Sequence, residues 1–263
     1  MKKIAIIGYG AIAQYVFNTL KKNDILITSL ICRKGREKQA RSCLNKKIEV
    51  VSLIKDFKTL PSLILDCAGH KALKDYAPEA LNKGIDFITL SAGALADDEL
   101  LKNLKKAATS GKSNFYIASG AVGGLDLLTA SKQGELKQVT YIGRKPPKGW
   151  LGSRAEEIIN LSKLKNSSEI HFSGTAREAA KLYPKNANVA ASIALAGIGL
   201  DKTKVKLIAD GRISKNIHEI EIIGKFGSST INIQGVSLPS NPKSSALAAM
   251  SMVAEVRRVL DLN

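Results

Sequence analysis

Between Lys3 and Ser119, short apolar runs alternate with longer amphipathic stretches, a rhythm that few folds satisfy. Lys3–Ile7, Ile25–Cys32 ("ILITSLIC"), Leu63–Asp66, Phe87–Leu90 and "FYIAS" read as strands, the first a continuous apolar run of the kind buried on both faces. Ala11–Lys22 carries Ile12, Val16 and Leu20 on one helical face. Ala72–Lys83 and Glu99–Ser110 read as helices closed by Gly84 and Gly111. Alternation of this kind predicts an α/β chain with a parallel sheet covered by helices on both faces.

The first strand and helix are joined by "IIGYGAIAQ", Ile6–Gln14. Glycines there place backbone N–H groups and a helix N-terminus against a pyrophosphate. Gly8 allows the tight turn, and Gly10 lets a phosphate approach the backbone. Ala13 stands where a third glycine would permit close helix packing, a position at which alanine is tolerated. A structural turn is the plainer reading of two glycines. Their place after a strand and before a helix favours a dinucleotide site of the Rossmann type, with Gly8, Gly10, Ala11 and Ile12 at the cofactor. At the end of the second strand an acidic residue would bind the adenosine ribose; this chain has Cys32, Arg33 and Lys34 instead. Arg33 suits a 2′-phosphate, so the expected cofactor is NAD or NADP, with NADP accepted at least comparably.

The second half has another rhythm. Gln138–Arg144 is a strand leading into "KPPKGW"; "SRAEEIINL" and "TAREAAKLY" look helical. Lys204–Ala209, Asn216–Gly224 and Ser229–Gln234 follow closely, as antiparallel hairpins or a meander. Asn241 and Pro242 read as cap and first residue of a helix running towards Leu260, burying Leu247, Met250 and Ala254. The expected fold is a Rossmann parallel sheet with a second α/β domain and a C-terminal helix returning to the first. The boundaries are 1–121 completed by helix 242–263, and 122–241.

Forty Lys and Arg against 23 Asp and Glu give a net charge of +17, a balance that attracts anionic partners. The lysines are spread along the chain and aromatics are only 5%, so no basic helix or stacking platform for nucleic acid stands out. "RKGREKQAR", Arg33–Arg41, is the denser cluster. Cys32, Cys43 and Cys67 have no metal-like spacing and read as reduced thiols of a cytoplasmic protein; no run is long enough to span a membrane, and no metal is expected.

Three histidines are present. His218 shares an alternating strand face with Ile220 and Ile222, where an unpaired imidazole is costly; a hydrogen-bonded core residue and an acid/base group are both open readings. His70 follows a strand at the carboxyl edge of the sheet, where ligands collect, or simply starts a helix. His171, in "EIHFSG", receives no role. The turns "SAGAL" (Ser91–Leu95, with Ser91 and Ala92) and "SGAVGG" (Ser119–Gly124), with Ala68 after Cys67, are expected to line the cofactor site.

Taken in order, "GYGAIAQ", "CAGHKALKDYAPEAL", "SAGALAD", "IASGAVGGLD", "GRKPPKGW", "GTAREAAKLYPKNANVAA", "NIHEI" and "NPKSSALAAMS" resemble the L-aspartate dehydrogenase family. The resemblance implies a Rossmann domain followed by a substrate and dimerisation domain, and a homodimer without nucleic-acid or membrane partners. It implies NAD(P)-dependent oxidation of L-aspartate to iminoaspartate, which water converts to oxaloacetate and ammonia, and a link to NAD biosynthesis. It puts the acid/base at His218 and cofactor contacts at Ala121 and Asn188, an asparagine suited to a carboxamide. Arg33 and Lys34 depart from a purely NAD-specific pattern. Arg144, Lys145 and Arg177 stand as candidates for the two substrate carboxylates. The alternatives are a dihydrodipicolinate reductase-like or homoserine dehydrogenase-like enzyme, and a non-catalytic nucleotide-binding protein.

Overall fold

A computed structural model describes residues 3–22, 25–44, 48–184 and 186–262. The chain divides into two units, Met1–Gly120 with Leu238–Asn263, and Ala121–Ser237.

In the first unit, strands β1 (Ile4–Ile7), β2 (Ile27–Ile31), β3 (Glu49–Val51), β4 (Leu63–Asp66), β5 (Asp86–Thr89) and β6 (Phe115–Ile117) form one parallel sheet. Their order is β3-β2-β1-β4-β5-β6. Helices α1 (Ala11–Lys22), α2 (Glu37–Cys43), α3 (His70–Asn82) and α4 (Asp98–Gly111) connect them. Every residue of β1 and β4 is buried, the physical reason their sequences show no polar alternation. The order of connection reverses between β1 and β4, and the crevice outside their carboxyl ends is where such sheets bind ligands. Ala13, Val16, Phe17 and Leu20 of α1 pack into the core with Ile4, Ile6 and Leu30. Ala13 is fully buried, so the alanine at the third-glycine position serves close packing.

The helix closing this unit, here called α9, starts later than its sequence suggests. Two short strands, β12 (Ser237–Leu238) and β13 (Asn241–Ser245), come first, and α9 spans Ala246–Val259. Asn241–Pro242 is therefore extended. Ser245 caps the helix, accepting from the Ala248 N–H. The later start rotates the buried face: Ala249, Met252, Val253 and Val256 are buried, whereas Met250 and Ala254 are exposed and Leu247 is half-buried. Leu238 packs with Ala246 and Ala249 against α1 residues, which places 238–241 in the first unit. Asn263, the last residue assigned to this helix from sequence, lies outside the described residues.

The second unit holds α5 (Leu125–Ser131), β7 (Leu136–Lys145), α6 (Ala155–Ile158), β8 (Ser168–Thr175), α7 (Ala176–Leu182), α8 (Asn188–Ala196), β9 (Lys204–Asp210), β10 (Asn216–Gly224) and β11 (Gly227–Gly235). Its sheet order is β11-β10-β7-β9-β8. β10 and β11 make the expected hairpin, but β9 is no neighbour of β10. β7 separates them, pairing parallel to β9 and antiparallel to β10. Close spacing in sequence could not reveal an earlier strand inserted between two later ones. "SRAEEIINL" makes only the four-residue α6, and "EIHFSG", given no structure above, lies in β8. α7 starts with a capping box, Thr175 and Glu178 each accepting from the other's backbone.

Gly111 does not stop α4 by taking a left-handed conformation. It is the last helical residue, and Lys112 takes that conformation, with φ 52°. A Cβ at position 111 would overlap the Leu81 carbonyl oxygen at the end of α3, so glycine is required there by close approach. Gly111→Ala should destabilise the unit by more than about 2 kcal/mol, as forced overlaps in packed regions do. Lys112→Gly should stabilise it by about 1 kcal/mol through relief of the left-handed strain. Urea unfolding midpoints of the two variants check both signs.

Candidate functional site

On the first unit the candidate cofactor surface is built from the turns after β1, β2, β4 and β5. Gly8 has φ +92°, and a Cβ on it would come within 3.1 Å of the Ala68 Cβ. Glycine thus lets the β1 turn pass the β4 turn, while the Gly8 N–H donates to the Ile31 carbonyl at 3.0 Å. Gly10 has open space where its Cβ would stand. Ala11 and Ile12 open α1, and Ala68 is exposed in the turn beyond β4. This set fits a pyrophosphate: free backbone approach, a helix N-terminus, and the reversal point of the sheet.

One group that sequence reasoning missed organises these turns. Asp66, the fully buried last residue of β4, accepts hydrogen bonds from Thr89 Oγ1 (2.7 Å), Ser91 Oγ (2.9 Å) and the Ala68 N–H (2.9 Å). The Ser91 N–H donates to Thr89 Oγ1 at 2.9 Å. Burial raises the Asp66 pKa, and these hydrogen bonds oppose the rise. Ser91 and Ala92, expected to face the cofactor, are both buried, and the Ser91 hydroxyl is engaged by Asp66. An aspartate ending a wholly apolar strand is the signal that marked this pin.

Beyond β2 and β3 lies an open cleft of about 880 Å³, lined among others by Arg33, Lys34, Glu37, Arg41, Ser52 and Tyr76. Arg33 is exposed. Glu37 accepts from the Gly35 N–H (3.0 Å) and Ser52 Oγ (3.1 Å), and its pKa is lowered by its own backbone N–H, then by that of Gly35, with Ser52 adding to them. The cleft thus offers both a guanidinium for a phosphate and a fixed carboxylate for hydroxyls. His70 opens α3 after Gly69.

On the second unit a polar cluster sits on one face of the sheet. Tyr141, Gly143 and Lys145 alternate along β7, and Gly143 pairs directly with His218 on β10. His218 is 5% exposed among Ile220 and Ile222, which are fully buried. Tyr141 Oη and His218 Nδ1 share a hydrogen bond of 2.8 Å. Gly143 makes it possible: a Cβ there would stand 2.7 Å from Tyr141 Oη. His218 Nε2 has no protein partner among the described residues, and it is not sealed in protein. Burial, and then the charge of Lys145, push the His218 pKa down to about 4, leaving a neutral imidazole at pH 7. Burial alone drives the Tyr141 phenol far above its ordinary value, so it remains protonated.

Beside this pair, Lys145 Nζ donates to Asn186 Oδ1 at 2.7 Å and stands 4.9 Å from the Trp150 ring centre. His171 packs edge-on to Trp150 at 4.3 Å and shares a 3.0 Å hydrogen bond with Tyr183 Oη. Its pKa is likewise lowered to about 4, by burial and then Lys145. The residue assigned no role from sequence is thus part of the cluster. Tyr141, Trp150, Tyr183 and Asn186 were missed as individuals, because only register and packing place them together. Asn188 opens α8 and Ala121 begins the unit; both are half-buried. The other two candidate cations lie elsewhere: Arg144 alternates to the opposite face of β7 from Tyr141 and Lys145, 3.6 Å from an Asp210 that Arg212 holds at 2.9 Å, and Arg177 forks onto Asp201 (2.6 and 2.8 Å).

Known proteins can be set beside this geometry. Residues 126–259 match the family model described as aspartate dehydrogenase, C-terminal, and residues 8–118 match that of the homoserine dehydrogenase NAD binding domain. An L-aspartate dehydrogenase of Ruegeria pomeroyi is 46% identical over 97% of this chain and 92% of its own length. That of Acinetobacter baumannii is 41% identical over 99% and 98%. The crystal structure of aspartate dehydrogenase from Thermotoga maritima superposes with a TM-score of 0.74 at 25% identity, covering 98% of this chain and 97% of that one.

The two buried imidazoles make the fold sensitive to acid. Unfolded, each takes up a proton as pH falls through its ordinary 6.5; folded, each resists until about 4. Their contribution to stability is complete above pH 6.5 and is lost between 6.5 and 4, because the unfolded chain binds more protons there. Melting temperatures should fall across that window. His171→Phe, which removes one titrating group, should make the fall shallower by roughly half of the imidazole contribution.

Proposed function

The chain belongs to the aspartate dehydrogenase family of oxidoreductases, and on that premise we propose that it converts L-aspartate to iminoaspartate with NAD or NADP, iminoaspartate then hydrolysing to oxaloacetate and ammonia. The observation that carries this reading is a neutral, buried imidazole whose Nδ1 is fixed by Tyr141 while Nε2 is left without a protein partner among the described residues.

When bound, the nicotinamide supplies the acceptor for the hydride leaving the substrate Cα. Gly8, Gly10, Ala11 and Ile12 are proposed to hold the pyrophosphate, Arg33 the adenosine end, and Ala121 and Asn188 the nicotinamide half. Ala68 is proposed to contribute backbone, with Ser91 holding its turn through Asp66 and the buried Ala92 following Ser91 behind it. His218 Nε2 takes a proton from the attacking water as it adds to the imine carbon. In the tautomer this requires, Nδ1–H donates to Tyr141 Oη, so the phenol orients the ring and supports the imidazolium that forms. The proton is then available to the nitrogen as the C–N bond breaks and ammonia leaves. The reverse direction is reductive amination of oxaloacetate. Iminoaspartate is also a reactive precursor, which supports a place in NAD biosynthesis. The further proposals are a cytoplasmic homodimer, checked by sedimentation at micromolar concentration.

Absorbance of NAD(P)H at saturating cofactor, measured with L-aspartate, D-aspartate, homoserine, and oxaloacetate plus ammonia, tests the reading. Turnover is expected with L-aspartate and with the last pair; turnover of homoserine alone would overturn it. His218→Ala should lower kcat about 10²–10⁴-fold, the usual worth of a positioned acid/base, with NAD(P)H affinity retained. Near-normal kcat in a folded variant refutes the role.

Cofactor choice rests on the cleft beyond β2. Arg33→Ala should raise the Kd for NADP about tenfold or more, the worth of one charge-assisted contact, and that for NAD only slightly. Equal weakening of the two would contradict a 2′-phosphate contact. Glu37, fixed by Gly35 and Ser52, supports retained binding of the unphosphorylated ribose.

A further inference from the structure

Among the described residues Lys145 is a cation without an anion. It projects from β7 on the same face as Tyr141, next along from the glycine that pairs with His218. Its stem runs beneath the turn at Pro147–Trp150, where a Cβ on Gly149 would lie 3.1 Å from Lys145 Cβ and 3.4 Å from Cδ. Glycine at that point lets the turn close over the methylene chain. The ammonium ends against Asn186 Oδ1 and the Trp150 ring. Both hold a cation in place without neutralising it. An ammonium has three donors, and one of them is used.

Among the described residues no carboxylate lies within ion-pair distance of Lys145, whereas Arg177 is paired with Asp201 and Arg144 shares Asp210 with Arg212. The remaining titratable neighbours, His171 and His218, are neutral at pH 7 and are themselves held so in part by this charge. Burial lowers the Lys145 pKa to about 8, so the group remains mostly charged at neutral pH at a cost in free energy. A fold that retains a partly desolvated, uncompensated charge beside a functional imidazole is arranged for a ligand of opposite charge.

We propose that Lys145, held by Asn186 and Trp150, binds a carboxylate of the dicarboxylic amino-acid substrate next to His218 and so makes the site selective for dicarboxylates. This rests on the function proposed above for the same site. It chooses among three cations that sequence left equivalent: Arg177 is paired with Asp201, and Arg144 lies on the face of β7 opposite His218.

The test uses the full-length protein with NAD(P)H binding as a control. In Lys145→Met the KM for L-aspartate should rise about ten- to a hundredfold, as expected for loss of a charge-assisted hydrogen bond. kcat should change less than KM, and competitive inhibition by succinate should weaken in parallel. The melting temperature should stay level or rise, because a half-buried, uncompensated charge is removed. Asn186→Asp is nearly isosteric and supplies an internal carboxylate at the ammonium; it too should raise KM, while increasing thermal stability. An unchanged KM in either folded variant overturns the proposal, as does lost stability with KM preserved, which would mark Lys145 as a structural pin. If the wild-type protein turns over no L-aspartate, the enzymatic reading fails. Calorimetric titration of succinate into wild type and Asn186→Asp then decides the carboxylate site separately: weaker binding in the variant supports it, and equal or absent binding overturns it.

Discussion

Keeping polar side chains on the inner face of a hydrophobic sheet is the constraint around which the second unit is built. Tyr141, His218 and His171 are buried, and Lys145 is half-buried, in a unit whose Val139, Ile220 and Ile222 are sealed from water. Each is given a specific partner. Tyr141 and His218 satisfy one another, His171 meets Tyr183, and Lys145 meets Asn186 and Trp150. These arrangements depend on absent side chains as well: Gly143 leaves room for the Tyr141 hydroxyl, and Gly149 for the lysine stem. Since an unmatched buried polar atom costs about 1–3 kcal/mol, such a cluster is an expensive way to build a core. His171 Nε2, buried with no partner, shows that the expense is not fully recovered internally.

The first unit meets the opposite demand. Its sheet is apolar throughout β1 and β4, and polarity enters only at the carboxyl edge, in Asp66 and Thr89. One carboxylate there ties together the ends of β4 and β5 and two turns. The turns after β4 and β5 are thereby held by a polar pin inside the edge of the core, and the turn after β1 leaves its backbone open at Gly10. Rigid strands beneath and exposed glycine above are what a phosphate-binding surface needs.

Charge follows the same division between general and local. The net +17 is carried by lysines spread over the whole chain, so its sum says little about a partner. Two places carry more information. In the cleft beyond β2, Arg33, Lys34 and Arg41 surround a hydrogen-bonded Glu37. At Lys145, a single ammonium adds to the larger effect of burial in depressing two imidazoles. The second has the larger effect on chemistry because burial removes the water that would otherwise screen it.

Local pattern settled much of this protein before any tertiary contact was considered. The strand–helix alternation, the bounds of α1, β4 and β10, and the alternation that puts His218 with Ile220 and Ile222 all follow from periods of two and 3.6 residues, which neighbours along the chain enforce. The family resemblance was legible too, since its motifs are contiguous. What contiguity cannot encode was decided by the fold. β7 was inserted between β10 and β9, which set Gly143 against His218 and Tyr141 within reach of its ring. α9 began at Ala246 because Ser245 capped it and 241–245 stayed extended, turning Met250 outward. Ser91 was drawn inward by Asp66, 25 residues away. Arg144, Lys145 and Arg177 are equivalent as letters; Arg144 faces away from His218 beside the Asp210 that Arg212 holds, Arg177 meets Asp201, and Lys145 meets Asn186, because whether a charge is already neutralised depends on partners that sheet register and helix packing bring to it.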